Sequence, residues 1–299
     1  MKKTALILSG ALFTSCVYAA PDWSKVPQRK MTLFYPGQAS LEWVMNKADH
    51  SAVPDIVDKK RTCAKCHEGD ANEIGGKIVA GKPVGISKTV LEPTPAAGKV
   101  GSIPVMFQAA HDGSKIYFRF EWASPQGGAK KLDPKNELKL TMLFDGGGTV
   151  EGTELNGCWA TCHTDLRSMK DAKDDKMTKR IKKADLASGS FMDLMQYRSG
   201  EKKPADGYVA EARHMEGGKA LLKAEGTKEG SKRVVTFERT LAGGGKGDHA
   251  IAAGKVYNFG FAIHEDYTNA RFHYVSLGYQ FGLDKPNPDV KSYVDVQKQ

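Results

Sequence analysis

Past residue 20 the sequence has no apolar run near the roughly 18 residues that a membrane-spanning helix needs, so a transmembrane segment in the mature chain is excluded. Cysteine is scarce: five occur in 299 residues, at positions 16, 63, 66, 158 and 162. Cys16 falls in an N-terminal leader and the others form two tight clusters, so no cysteine is left for a structural disulfide. An exported chain without disulfides needs another staple. A Pro/Ser-rich linker and an internal repeat are also missing, so the mature residues, about 280, read as a single β-rich domain over 21–299.

The leader has the parts of a signal peptide. Lys2 and Lys3 form its basic start, Ala5 to Phe13 its apolar core, and Val17-Tyr18-Ala19-Ala20 its small-residue cleavage region. Residues 1–20 would be removed, leaving a chain that starts near Ala20 or Pro21. A second reading makes Cys16, after Phe13-Thr14-Ser15, a lipid-bearing cysteine that anchors the protein to a membrane. Losing Lys2 and Lys3 lowers the formal net charge from +9 to +7. Such a surface favours acidic redox partners or small anions through long-range steering. Export argues against nucleic acid as the partner. The densest charge run, Lys170 to Lys183, is interspersed with Asp171, Asp174 and Asp175 and reads as a solvated helix face.

Cys63-Ala64-Lys65-Cys66-His67 is the C-x-x-C-H pattern of covalent haem c attachment. Two thiols add to the haem vinyl groups, and the following histidine is placed to ligate the iron from the proximal side. The competing reading is a redox or zinc C-x-x-C that happens to precede a histidine. Gly157-Cys158-Trp159-Ala160-Thr161-Cys162-His163 repeats the chemistry with one extra residue between the thiols. It is a candidate second haem c site with His163 as proximal ligand; a local Cys158–Cys162 disulfide or half of a metal site are the alternatives. Zinc is the weaker alternative, because a closed structural site needs four ligands and no second cysteine pair is available. Haem c is attached outside the bacterial inner membrane, so the expected compartment is the periplasm.

A distal histidine would give a six-coordinate electron-carrying haem, and an open position would admit substrate. Beyond His67 and His163 the candidates are His50, His111, His214, His249, His264 and His273. His264 and His273 flank a probable turn over 265–270, and symmetric pairing about it sets them opposite each other on one face of a hairpin. Such a pair suits a haem ligand with its supporting partner, or simply a cross-strand polar pair. His50 lies 13 residues before Cys63, far enough for a loop to bring it to the other haem face. His111, beside Asp112-Gly113, and His249, in a Gly-rich loop, read as solvated.

The segment from Met31 to about Glu68 reads as irregular to helical, with Leu41-Glu42-Trp43-Val44-Met45 as a short amphipathic piece; the first haem segment spans about 31–75. In Lys115 to Trp122, Ile116, Phe118, Phe120 and Trp122 alternate with a mixed face, which predicts a half-buried strand. Further strands are predicted over 102–110, 138–144, 232–238, 256–264 and 271–280, bounded by Gly, Asp and Asn turns. A second-haem and helical insertion is expected over about 145–230. Within it, Phe191 to Tyr197 has apolar residues at helical spacing, with Met192 and Met195 read as packing residues.

Phe34-Tyr35-Pro36-Gly37-Gln38 with Glu42-Trp43, the two cysteine clusters, and Phe261-Ala262-Ile263-His264 with His273-Tyr274-Val275-Ser276 occur in an order that covers about Met31 to Leu283. In that order they resemble periplasmic cytochromes c whose body is similar to the haem-binding γ subunit of ethylbenzene dehydrogenase, the cytochrome c-552/DMSO-reductase-like haem-binding domain. The resemblance implies an immunoglobulin-like β-sandwich with helical and loop insertions, and a role in periplasmic electron transfer such as anaerobic respiration uses. The γ subunits hold one b-type haem through methionine and lysine, without thioether bonds, so their ligand set does not carry over to this chain.

Two function classes follow. One is a dihaem electron carrier that docks acidic redox proteins of the periplasm or inner membrane. The other is a haem enzyme or ligand sensor acting on a small oxyanion or gas at one open iron, with His264, His273 or Arg271 assisting; the enzyme assignment is left uncertain, with the carrier preferred. The two-haem reading has a direct test: Cys158→Ala should lose one haem by intact mass and keep the other, and a variant still carrying two attached haems excludes the second site.

Overall fold

A computed structural model describes residues 20–39, 50, 51, 53–59, 61–86, 88–95, 98–125, 131–146, 150 and 184–299. The leader with Cys16, the piece Leu41–Met45, the second cluster with Cys158, Cys162 and His163, and the charge run 170–183 lie outside the described residues.

The described chain is mainly β. In order, the strands are β1 (Arg29–Phe34), β2 (Pro83–Val84), β3 (Thr89–Val90), β4 (Ser102–His111), β5 (Lys115–Ala123), β6 (Lys139–Asp145), β7 (Met192–Arg198) and β8 (Ala205–Val209). They continue as β9 (Arg213–His214), β10 (Leu221–Glu229), β11 (Lys232–Thr240), β12 (Tyr257–His264), β13 (Tyr274–Val275), β14 (Tyr279–Leu283) and β15 (Tyr293–Lys298). Three helices, α1 (Val53–Lys59), α2 (Cys63–His67) and α3 (Ala71–Val79), separate β1 from β2.

One 13-stranded sheet runs in the order β10-β11-β5-β4-β1-β13-β12-β6-β7-β8-β9, while β14 pairs with β12 and β15, and β15 returns to β4. Strands β4, β1, β13, β12, β14 and β15 therefore form a closed ring, with β10–β11–β5 and β6–β7–β8–β9 as wings. This pairing is continuous and does not divide into the two separate sheets of the immunoglobulin-like sandwich that the family resemblance implied. The mainly β class stands.

Alternation explains why the ring has an apolar interior. Phe118 and Phe120 of β5, Phe107 of β4, and Phe259 and Phe261 of β12 are all fully buried. Phe107 sits among them, with ring centroids 5.1 Å from Phe120, 5.3 Å from Phe259, 6.1 Å from Phe118 and 6.4 Å from Phe261. The β4–β5 turn is closed by Asp112, whose Oδ1 accepts from the backbone N–H of Ser114 and of Lys115, both at 2.7 Å.

Several expectations are corrected. Phe191 to Tyr197 is not helical; it supplies β7, paired with β6 on one side and β8 on the other. Its first four residues, Met192 to Met195, are buried whichever way they point, so its apolar residues do not alternate, and Phe191, Met192, Leu194 and Met195 mimic helical spacing. The start of the presumed irregular region is β1, an interior strand between β4 and β13. The predicted strand 271–280 is two strands, β13 and β14, with Ser276 to Gly278 between them. Strands β7 to β10 also take residues 192–229 of the expected insertion into the main sheet.

Helix α3 packs on β1, β2 and β4. Gly75 and Gly101 make this possible: a Cβ on Gly75 would lie 2.0 Å from the Gly101 carbonyl oxygen, and one on Gly101 2.2 Å from the Gly76 nitrogen. Glu68, just after α2, is held by Arg29 of β1 at 2.9 Å and accepts at 3.4 Å from the hydroxyl of Tyr279 on β14. Helices α2 and α3 are thus fastened to the ring at both ends.

Phe107→Ala should cost about 3–5 kcal/mol of stability, read by denaturant unfolding of the full chain. A loss under about 1 kcal/mol would mean that this aromatic cluster collapses around the cavity, contrary to close packing.

Candidate functional site

The C-x-x-C-H segment folds as α2 because Thr62 caps it. Its Oγ1 accepts from the Lys65 N–H at 3.3 Å, in the N-cap geometry that satisfies one of the orphan donors of the first turn. One helical turn places Cys63 on the buried side and Cys66 at the surface, with both thiols unbridged. Burial pushes the Cys63 thiol up to about 12.

His67 ends α2, and its Nδ1 faces both carboxylate oxygens of Asp70, at 3.0 and 3.1 Å. A carboxylate only accepts, so this contact assigns the ring proton to Nδ1 and leaves Nε2 with its lone pair. Carboxylate support of the second ring nitrogen is the usual arrangement behind a metal-ligating histidine. His50 stands across from His67, with ring centroids 5.9 Å apart and planes inclined at 53°. Burial, then the neighbouring His67, lowers the pKa of His50 and keeps it neutral near pH 7. Its Nδ1 is buried and has no hydrogen-bond partner.

The spacing is informative. Two imidazoles with centroids 5.9 Å apart could both turn a ring nitrogen toward one ion held between them. The two rings border a cavity of about 400 Å³ whose wall includes Cys63, Phe34, Ile74, Ile78, Val84 and Leu277. Its size falls in the range of small-molecule and cofactor sites. Cys63, Cys66, His67 and His50 are the residues that could hold a flat, largely apolar group at this cavity.

The second expected pair also forms. Strand β12 pairs with β13 through Ala262–Val275 and Ile263–Tyr274, and the same register sets His264 opposite His273. Their rings stack at 4.9 Å with planes only 11° apart, closer and flatter than two imidazoles sharing one ion between them. His264 Nε2 lies 3.0 Å from the Ala270 carbonyl oxygen and donates to it, so Nδ1 carries the lone pair; Nδ1 is buried and has no hydrogen-bond partner. Burial, with the His273 ring and Lys139 adding to it, holds the His264 pKa well below its ordinary value. The connecting turn is strained: Asp266, Tyr267 and Ala270 have φ of 52°, 60° and 52°, a region that bulky L-residues rarely adopt.

Other candidates are placed differently. Arg271 is engaged by the buried carboxylate of Glu92, at 3.1 Å from both Nε and Nη2, and Glu92 also accepts from the Tyr35 hydroxyl at 2.5 Å. Arg271 is therefore not aimed at a substrate. His111 is buried at the end of β4 and bonded to Asp284 at 2.8 Å, not solvated. His249 is not solvated either; it stacks on Phe191 at 3.9 Å and contacts the Phe191 carbonyl oxygen at 2.7 Å. His214 is exposed on β9 and stacks on Tyr208 at 4.6 Å. Met192 and Met195 are fully buried core residues. Sequence reasoning missed Asp70, although a carboxylate three residues after His67 is a readable sign of support for that ring. It also missed Lys99, which lies over the rings of Tyr274 and Tyr35 at 4.2 and 5.1 Å and whose pKa burial lowers to about 8.

A ring-closed β body with a capped C-x-x-C-H helix and two histidines facing across an apolar cavity defines a haem-binding protein of the c type. The family model described as ethylbenzene dehydrogenase matches residues 20–233. The chain is 44% identical over 291 residues to cytochrome c-552 of Stutzerimonas stutzeri, covering 95% of this chain and 97% of that one. It is 34% identical over 267 residues to cytochrome c-551 of Rhodocyclus tenuis, covering 88% and 95%. The chain belongs to the cytochrome c-552-like family. Among solved structures, a family 9 carbohydrate-binding module from Caldicellulosiruptor kristjanssonii in complex with glucose aligns over 63% of this chain and 81% of that one, with 8% identity and a TM-score of 0.33, a likeness too slight to bear on function. No helix of the described residues is long and apolar enough to cross a membrane.

Proposed function

We propose that the protein is a periplasmic electron carrier with two haems c, the first held by Cys63, Cys66, His67 and His50. The observation that carries this reading is the 5.9 Å spacing of the His50 and His67 rings across the cavity beside Cys63. Two histidines leave no open position for substrate, which is the coordination of a carrier. Bound haem c supplies one-electron iron chemistry. The chain's own residues hold and tune it: Asp70 keeps the His67 proton on Nδ1, and the apolar wall keeps water from the ring edges. Cys158, Cys162 and His163 are proposed to hold the second haem, with His264 or His273 as its distal ligand. Neutral His264, with its Nε2–H committed to Ala270, offers Nδ1 as a donor, and His273 is the ring stacked on it.

The name cytochrome c given to both relatives supports the haem c and the carrier role, and the N-terminal leader supports export. The partners are proposed to be periplasmic or inner-membrane redox proteins with acidic docking surfaces, met through weak, transient contacts. Anaerobic respiration is the setting to which the family resemblance points.

Carbon monoxide added to the reduced protein separates the carrier from an enzyme or sensor with an open iron. No spectral response is expected from wild type. His50→Ala should open one haem to carbon monoxide, and His264→Ala should turn a haem high-spin; a wild-type response overturns the carrier reading, and an unchanged His50→Ala spectrum removes that ligand. Asp70→Asn weakens the support behind His67 and should raise the midpoint potential of the first haem without detaching it. An unchanged potential in a redox titration would separate Asp70 from the iron.

A further inference from the structure

Three carboxylates converge outside the C-x-x-C-H segment. Asp193 of β7, Asp206 of β8 and Asp248 of the loop between β11 and β12 each place one oxygen within 4.8 Å of the others. Their second oxygens are pinned from outside. Asp193 Oδ2 accepts from Arg239 Nη2 and the His249 N–H, both at 2.9 Å; Asp206 Oδ2 accepts from the Leu221 N–H at 2.9 Å; Asp248 Oδ2 accepts from the N–H groups of Lys219, at 2.9 Å, and Gly245.

The Oδ1 atoms of all three are buried and have no hydrogen-bond partner. The Asp193 side chain is fully inaccessible, so an unpartnered oxygen there is a cost that a stable fold offsets with a ligand. Gly218 borders the same space: a Cβ there would lie 2.4 Å from Asp206 Oδ1 and 2.8 Å from Asp248 Oδ1. Arg239 is the cationic side chain that bonds this cluster, through Asp193.

We propose that Asp193, Asp206 and Asp248 form a calcium site that fastens the β11–β12 loop to strands β7 and β8. Calcium takes oxygen ligands at 2.3–2.6 Å, so oxygens on opposite sides of the ion stand about 4.6–5.2 Å apart. Three oxygens within 4.8 Å of one another all reach one such ion. Magnesium, with bonds near 2.0–2.1 Å and a strict octahedron, asks for a tighter cage and retained water. The ion's role is structural, since β7 begins where the segment after the second cysteine cluster rejoins the sheet.

The test uses the haem-loaded full chain. Protein purified with calcium chloride and then desalted should retain about one calcium per chain by metal analysis. Chelation with EGTA should lower the Tm, and calcium at a hundredfold excess over Kd should restore it by about 5 °C or more, with magnesium giving less. Asp248→Asn, which changes a loop residue, should abolish the calcium response and keep the haem spectrum; Asp206→Asn should do the same. Retention of no calcium together with an unchanged Tm overturns the site, and so does an Asp248→Asn protein that folds and responds to calcium like wild type.

Discussion

The contact of Gly75 and Gly76 with Gly101 is the constraint on which the rest depends, because it lets a helix lie with its backbone against the first residues of a strand. Without it α3 could not approach β4, the cavity wall formed by Ile74 and Ile78 would move outward, and His67 would lose its fixed distance from the opposite ring. The ring of strands supplies a rigid floor, and the short helices borrow their rigidity from it. A helix of five residues such as α2 has little stability of its own; Thr62 at its start and Glu68 at its end, tied to Arg29 and Tyr279, hold it in place.

Polar contacts at the two histidine pairs set different chemistries. His67 is supported by a charged carboxylate, whereas His264 is supported by a neutral carbonyl in a strained turn. A carboxylate raises ligand basicity more than a carbonyl does. The two histidine pairs therefore stand in different electrostatic surroundings.

Much of the architecture was legible because one-face burial leaves a period of two in the sequence. Strand β5 shows it, and apolar residues also recur at every second position in β6 and β12 although those strands are buried almost throughout; the predicted bounds of all three fall within a residue or two of the observed ones. Strand β10 was illegible for the opposite reason: it is an edge strand with exposed Lys223, Glu225, Lys228 and Glu229, held by backbone pairing to β11 with little apolar content. Strand β7 was misread because Phe191, Met192, Leu194 and Met195 are spaced as on a helix face and do not alternate. At the site, C-x-x-C-H was readable as a local pattern, and the loop that brings His50 beside His67 was readable from its length. The Asp193, Asp206 and Asp248 cluster was not, because only the sheet brings residues from β7, β8 and a later loop together.

Strand β1, which precedes the attachment helix, pairs with β13 through Phe34 and Val275, and the ring is completed only when β15 reaches β4. A chain delivered from its N-terminus therefore presents Cys63, which the folded chain buries, long before the strands that close the ring arrive. Closure of such distant segments is slow. The order of the strands thus provides an interval in which the Cys63 thiol is open to chemistry before the ring closes.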